Sequence, residues 1–145
     1  MDILHGLLLN YYFLSFIIAW IVTTVLKALI HSAKHKKKFN IKDGFENGGM
    51  PSSHSAVVAS LTMALFLRTG LSEMFYVSLV FSSIVISDAF KVRQNIGIQG
   101  EKLNELLKRF NENPIEVVYG HTVIQVITGI MIGIICAAAL YPILL

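Results

Sequence analysis

The chain has 145 residues, of which 54% are hydrophobic and only 14% charged, with a mean hydropathy of +0.65. Soluble domains carry about 25% charged residues, so this balance argues against a disordered tail and against a helical bundle bathed in water. The net charge of +3 and the pI near 9.1 point to membrane topology rather than to nucleic acid, because the cations lie between apolar blocks.

Residues 3–30 form the first apolar block. It contains Leu7-Leu8-Leu9 and then Phe16-Ile17-Ile18-Ala19-Trp20-Ile21-Val22, with Lys27 near its end. About 20 apolar residues span a bilayer. A cleaved signal peptide would begin with positive charge and end at a small-residue cleavage site. Here the chain begins Met1-Asp2 and the positive cluster follows the apolar stretch, which predicts a retained helix. A polar segment, residues 31–53, holds Lys34, Lys36, Lys37, Lys38 and Lys42, then Asn47-Gly48-Gly49.

The second and third apolar blocks, residues 55–71 and 74–90, are parted by a short turn and read as a helical hairpin. Each is near the lower limit of about 17 residues for a span. Residues 91–116 are polar, with Ile98, Leu103, Leu106, Leu107 and Phe110 at helical spacing, and they predict an amphipathic helix stopped by Asn113-Pro114. The last block, residues 117–145, carries Gly129 and Gly133 in a small-xxx-small packing face. Cys136 lies inside it, with no second thiol for a disulfide or a zinc site.

The fold class expected is therefore all-α, an integral membrane helical bundle. It has about four transmembrane helices plus a cytoplasmic amphipathic helix, in a single domain over residues 1–145. The segments 31–53 and 91–116 hold ten of the twelve Lys and Arg. The positive-inside rule places both in the cytoplasm and both termini outside.

Four places carry chemistry. Gly48-Gly49-Met50-Pro51-Ser52-Ser53-His54-Ser55-Ala56 sets two glycines and a proline before a helix N-terminus. Pro51 suits a first helical turn, and the free N–H groups and dipole there attract anions. The plainer reading is a Gly turn and a Ser cap. Gly120-His121-Thr122 puts a histidine at the edge of a membrane helix, where an interfacial imidazole bonded to backbone or headgroup is the alternative. Together His54 and His121 can divide phosphoryl transfer, one attacking phosphorus and the other protonating the departing alkoxide. At the end of the third block stand Asp88, Lys91 and Arg93. Arg93 can bind phosphate oxygens through two parallel hydrogen bonds, and Asp88 needs a cationic partner, which a structural ion pair would also supply. Lys27 either reaches the site or snorkels to the interface. His5, His31 and His35 receive no role, and residues 34–38 read as a topology signal attractive to anionic headgroups.

These residues resemble the divergent type-2 phosphatidic acid phosphatase family, a membrane branch related to lipid phosphate phosphatases and vanadium haloperoxidases. The likeness runs along nearly the whole chain: Lys27, the run 48–56, Asp88-Ala89, Val92-Arg93, Gly97, Leu103-Asn104 and Gly120-His121-Thr122 stand in the family's order. The resemblance implies His121 as nucleophile and His54 as general acid. Lys27 and Arg93 would hold the phosphate, helped by Ser53 and the amides near Gly49. In the wider superfamily the arginine lies a few residues before the nucleophilic histidine, whereas residues 94–120 intervene here. Gln125 stands where the branch usually has an acid, Lys91 where it has Gly, and Gln94 where it has Arg. Asp88 would replace the missing carboxylate if the fold brings it near.

The function expected is hydrolysis of a lipid phosphate, such as phosphatidic acid, phosphatidylglycerophosphate or a polyprenyl phosphate, through a phosphohistidine. The site would face the cytoplasm from the plasma membrane. The scheme needs no cofactor and no metal, although Asp88, Glu101 and Glu105 are available to a divalent ion. Membrane lipids and the lipid phosphate are the expected partners, with a homo-oligomer possible. A non-catalytic lipid-phosphate binder or transporter is the alternative, and a small assembly subunit using the Gly129/Gly133 face is a third reading.

Overall fold

The computed structural model describes residues 10–45 and 48–144. Residues 3–9 of the first predicted block, with Leu7-Leu8-Leu9 and His5, lie outside the described residues, as does Asn47. Helix α1 runs Tyr11–His35, capped by the Asn10 side chain, which accepts from the N–H groups of Tyr12 and Phe13. It ends at Lys36 in the left-handed region (φ 51°). A short 3-10 turn, Ile41–Phe45, follows. Helix α2 is Ser53–Thr69 and helix α3 is Glu73–Ser87. A π-helical turn, Asp88–Val92, joins α3 to helix α4, Arg93–Arg109. Helix α5, Val123–Leu144, closes the chain.

Three helical stretches are long and apolar enough to cross a membrane: Tyr11–His35, Glu73–Arg109 and Val123–Leu144. The remaining helix, α2, has 17 residues and is the hub, packed against α1, α3 and α5. Helix α2 runs antiparallel to α1 and α3 and parallel to α5, whose Gly129 and Gly133 pass Ser52 and Ala56 in the same order. The C-terminal ends of α1 and α3 and the N-terminal ends of α2 and α5 therefore share one end of the bundle.

One expected boundary is corrected. The third span and the amphipathic helix are one continuous rod, because the π turn widens the helix without stopping it. The rod ends at Arg109, with Asn111 left-handed (φ 57°) ahead of Pro114. The last helix begins at Val123, directly after Gly120-His121-Thr122, and residues 112–122 are non-helical.

The packing is inverted relative to a water-soluble bundle. The buried apolar residues are mostly alanines, including Ala19, Ala28, Ala56 and Ala64, while Val77, Phe81, Ile84, Ile124 and Ile135 face outward. Lipid tails are as apolar as leucine, so large side chains gain nothing by turning inward. Close backbone approach and interhelical hydrogen bonds hold such bundles instead. Thr62 Oγ1 bonds Ser78 Oγ and Ser82 Oγ, each at 2.8 Å, tying α2 to α3. Tyr11 donates its hydroxyl to the Ala137 carbonyl at 2.9 Å, tying α1 to α5. The Gly129/Gly133 face is used within the chain. A Cβ on Gly129 would collide with the Ser52 carbonyl, and one on Gly133 with the Ala56 carbonyl. The surface expected to be available for assembly is thus filled by α2.

Candidate active site

The α2 end of the site is a capped helix N-terminus. Ser52 Oγ accepts from Ser55 Oγ at 2.9 Å and from the Ser55 N–H at 3.4 Å. Pro51 was expected in the first turn. It lies instead just before the cap, after a cis Met50–Pro51 bond, and Ser53 and His54 are the first two helical residues. Their backbone N–H groups precede the first intrahelical bond, so the positive end of the dipole faces whatever sits above them. Gly48 and Gly49, at φ 79° and 77°, carry the chain into this turn in a conformation that side chains disfavour.

The π turn makes the opposite wall. The Arg93 N–H bonds the Asp88 carbonyl five residues back. Widening one turn shifts the hydrogen-bond ladder, and a carbonyl displaced from it needs a partner elsewhere. The Ala89 carbonyl accepts the His121 N–H at 3.0 Å. On the same turn, Arg93 Nε donates to Asp88 Oδ2 at 3.1 Å.

The segment after α4 explains how residues distant in sequence meet. Seventeen helical residues carry the chain roughly 25 Å from Arg93. Residues 112–122 then bring it back along the same helix. Asn104 clamps the returning chain at both groups of Ile115: its Oδ1 accepts the Ile115 N–H at 2.8 Å, and its Nδ2 donates to the Ile115 carbonyl at 2.9 Å. Tyr119 lays its ring over Gly97 and donates its hydroxyl to Glu101. Gly120 then touches the π turn so closely that a Cβ would lie 2.6 Å from the Gln94 nitrogen and 3.0 Å from the Ala89 oxygen.

Gln125 has a double function that the sequence reading passed over. Thr122 and Gln125 form a capping box: Gln125 Oε1 accepts the Thr122 N–H at 2.9 Å, and Thr122 Oγ1 accepts the Gln125 N–H at 3.4 Å. The Thr-x-x-Gln spacing before an apolar run is the signal that would have found it. The same Oε1 lies 3.3 Å from His121 Nδ1. An atom that accepts from a backbone N–H is an oxygen, so Nδ1 must carry the proton there, and Nε2 keeps its lone pair. The Gln125 carbonyl also accepts the Ser52 N–H at 3.1 Å, fastening α5 to the α2 cap.

These walls enclose a cavity of about 120 Å³ lined by Lys27, Ser53, His54, Arg93, Gly120 and His121, with Trp20 and Phe45 at one side. A water occupies about 30 Å³ of liquid, so the space suits a small polyatomic anion. Lys27 is 8% exposed and turned into the cavity rather than snorkelling away. Its stem lies beside Gly49, where a Cβ would be 3.7 Å from Cγ. His121 is buried. Burial holds its pKa below the usual histidine value, and the nearby positive charge of Lys27 and the His54 ring add to this, against hydrogen bonds that the ring donates to Gln125 and the Gly49 backbone. His54, in the first turn ahead of the apolar body of α2, is also lowered, first by desolvation and then by Arg93 and Lys27, with Asp88 opposing. The cavity therefore disfavours positive charge on the two imidazoles, while the cations of Lys27 and Arg93 make it attractive to negative charge.

Of the residues picked from sequence, Lys27, Ser53, His54, Arg93 and His121 line this one cavity. Gly49 stands behind it, against Lys27 and His121. Asp88 engages Arg93, and the partner at His121 Nδ1 is Gln125. Glu101 holds Tyr119, and no group of three or more His, Cys, Asp or Glu among the described residues is arranged to hold a metal ion. Thr24 and Tyr119, which also line the cavity, escaped the sequence reading because nothing local marks them.

Fold and site together define an all-helical integral membrane protein with a cationic, two-histidine cavity at one end of its bundle. The chain belongs to the Divergent PAP2 family, whose model matches residues 8–136. It is 32% identical to the uncharacterized membrane protein YuiD of Bacillus subtilis (strain 168), over 92% of this chain and 96% of that one. No solved structure matches it.

Proposed function

We propose that the protein is a membrane phosphatase that hydrolyses a lipid phosphate, of the phosphatidic acid, phosphatidylglycerophosphate or polyprenyl phosphate class, with its site on the cytoplasmic face of the plasma membrane. The observation that carries this reading is the convergence of His54, His121, Lys27 and Arg93 on one anion-sized cavity. An amphiphilic substrate suits the location. Its tails stay in lipid while its headgroup enters at the helix ends, and ten of the twelve Lys and Arg lie in the two segments at that end.

In the first step His121 Nε2 attacks phosphorus. The N–P bond forms as the P–O bond to the alcohol breaks, and protonated His54 gives its proton to the departing alkoxide. Neutral His54 then takes a proton from water, whose oxygen attacks phosphorus as the N–P bond breaks, releasing phosphate and free His121. Lys27, Arg93, Ser53 and the amides near Gly49 stabilise charge on the phosphoryl oxygens. Asp88 keeps Arg93 in place. Gln125 orients His121 without neutralising the imidazolium, which a carboxylate would also do.

The experiment is phosphate release from a panel of lipid phosphates by the full chain in detergent, with trapping of acid-labile phosphohistidine. Turnover lost in both His54→Ala and His121→Ala, with phosphohistidine trapped in the wild-type chain and absent from His121→Ala, supports the enzyme. Gln125 favours a second reading, a non-catalytic lipid-phosphate binder or transporter. Tight lipid binding without turnover, unaffected by His121→Ala, would establish that reading instead.

A further inference from the structure

A second cavity, of about 310 Å³, adjoins the first and shares Lys27 with it. It is lined further by His31, Lys34, His35, Gly49 and Gln125. Lys27, His31, Lys34 and His35 fall at i, i+4, i+7 and i+8, one face of α1. That face makes a basic ladder leading from the catalytic cavity toward the cationic end of the bundle. The rings of His31 and His35 lie 4.4 Å apart. The cavity's carboxylate, Asp43, is 2.9 Å from His31 Nδ1, so its negative charge is engaged by an imidazole and Lys34 faces the space beside it.

We propose that this cavity is a second anion site, which binds a phosphate group in addition to the one beneath His121. Lys34 and His35 supply the outer donors, and Lys27 forms the shared wall. One chemistry, a phosphate oxyanion, has two sources: a second phosphate carried by the substrate, or the inorganic phosphate just released. The kinetic part rests on the phosphatase reading; the binding part does not.

The test begins with equilibrium uptake of radiolabelled inorganic phosphate by the full chain in detergent. The wild-type chain takes up two phosphates. Lys34→Gln and His35→Gln each weaken one uptake by about tenfold, the loss of one charge-assisted contact, and leave the other intact. Arg93→Ala does the reverse. A wild-type chain that takes up one phosphate or none overturns the second site. Two phosphates bound with no lipid turned over keeps the second site and rejects the phosphatase. In the kinetic arm, Lys34→Gln leaves kcat on a lipid monophosphate unchanged. A raised KM confined to a lipid diphosphate assigns the site to the substrate's second phosphate. Weaker inhibition by added phosphate, equal for both lipids, assigns it to the product. Neither change overturns a role in turnover.

Discussion

The two ends of the bundle are built differently. At the end away from the cavity the chain turns tightly, with Gly70 and the Ser72 cap joining α2 to α3. The buried cluster there is Tyr11, Ala64 and Ala137, and the lone cation of the turn, Arg68, sits 5.3 Å over the Tyr12 ring. Local signals describe all of it: a serine cap, a glycine with positive φ, an aromatic under a guanidinium. At the cavity end the regular helices give way to two glycines with positive φ, a π turn and a returning non-helical segment. A bundle of ideal helices presents side chains on cylinders. Irregular backbone is what lets groups from α1, α2, the π turn and the segment before α5 point at one small volume.

This contrast predicts an ordered set of mutational effects. His121→Ala should lower kcat for lipid phosphate by at least about a thousandfold, since it removes the attacking atom. His54→Ala and Arg93→Ala should each cost about a hundredfold or more, through lost proton donation and lost charge stabilisation. Phosphate release from detergent-solubilised protein measures all three, and near-wild-type turnover in any of them breaks the assignment of the cavity.

Gly120→Ala comes next. Its Cβ would meet the Gln94 nitrogen at 2.6 Å and push His121 off the π turn, with a cost of about 1–3 kcal/mol in stability and about a hundredfold in rate. Thermal unfolding and turnover together read it. Unchanged activity would mean that docking on Ala89 does not position His121.

A smaller change should come from pH. His54 and His121 are both held below the ordinary histidine value of 6.5. The acid needs its proton and the nucleophile must lack one, so the fall of kcat/KM with rising pH should set in below 6.5, where the lowered His54 loses its proton. Gln125→Glu places a carboxylate by His121 and favours the imidazolium. The acidic limb, set by deprotonation of His121, should move to higher pH. A limb that stays put in that variant would remove Gln125 from contact with the reacting ring. The smallest effect belongs to the far end: Arg68→Ala should cost about 0.5–1 kcal/mol by thermal unfolding and leave turnover unchanged. A large loss of activity there would abolish the distinction between the two ends.

Much of the site was legible before folding. Lys27, Ser53, His54, Arg93 and His121 stand out because cations and imidazoles are rare beside apolar blocks, and a chain that keeps them there needs partners for them. Lys27 illustrates the limit of that reasoning. Snorkelling and burial predict the same residue at the same depth, and only the position of Gly49 against its stem separates them. Gln125 illustrates another limit. It reads as a missing carboxylate in isolation, yet it caps α5, orients His121 and binds the α2 cap through its own carbonyl.

Hydropathy and charge placement determined an all-helical membrane bundle and which of its segments are basic, because the hydrocarbon interior imposes those on any chain of this composition. They also mark the cations and imidazoles that line the cavity. The tertiary structure decided that Arg93 and His121 are neighbours. The outward run of α4 and the return along it cancel, and a carbonyl on the π turn receives the backbone of His121. No periodicity encodes that closure, since it depends on hydrogen bonds satisfied between segments rather than within them.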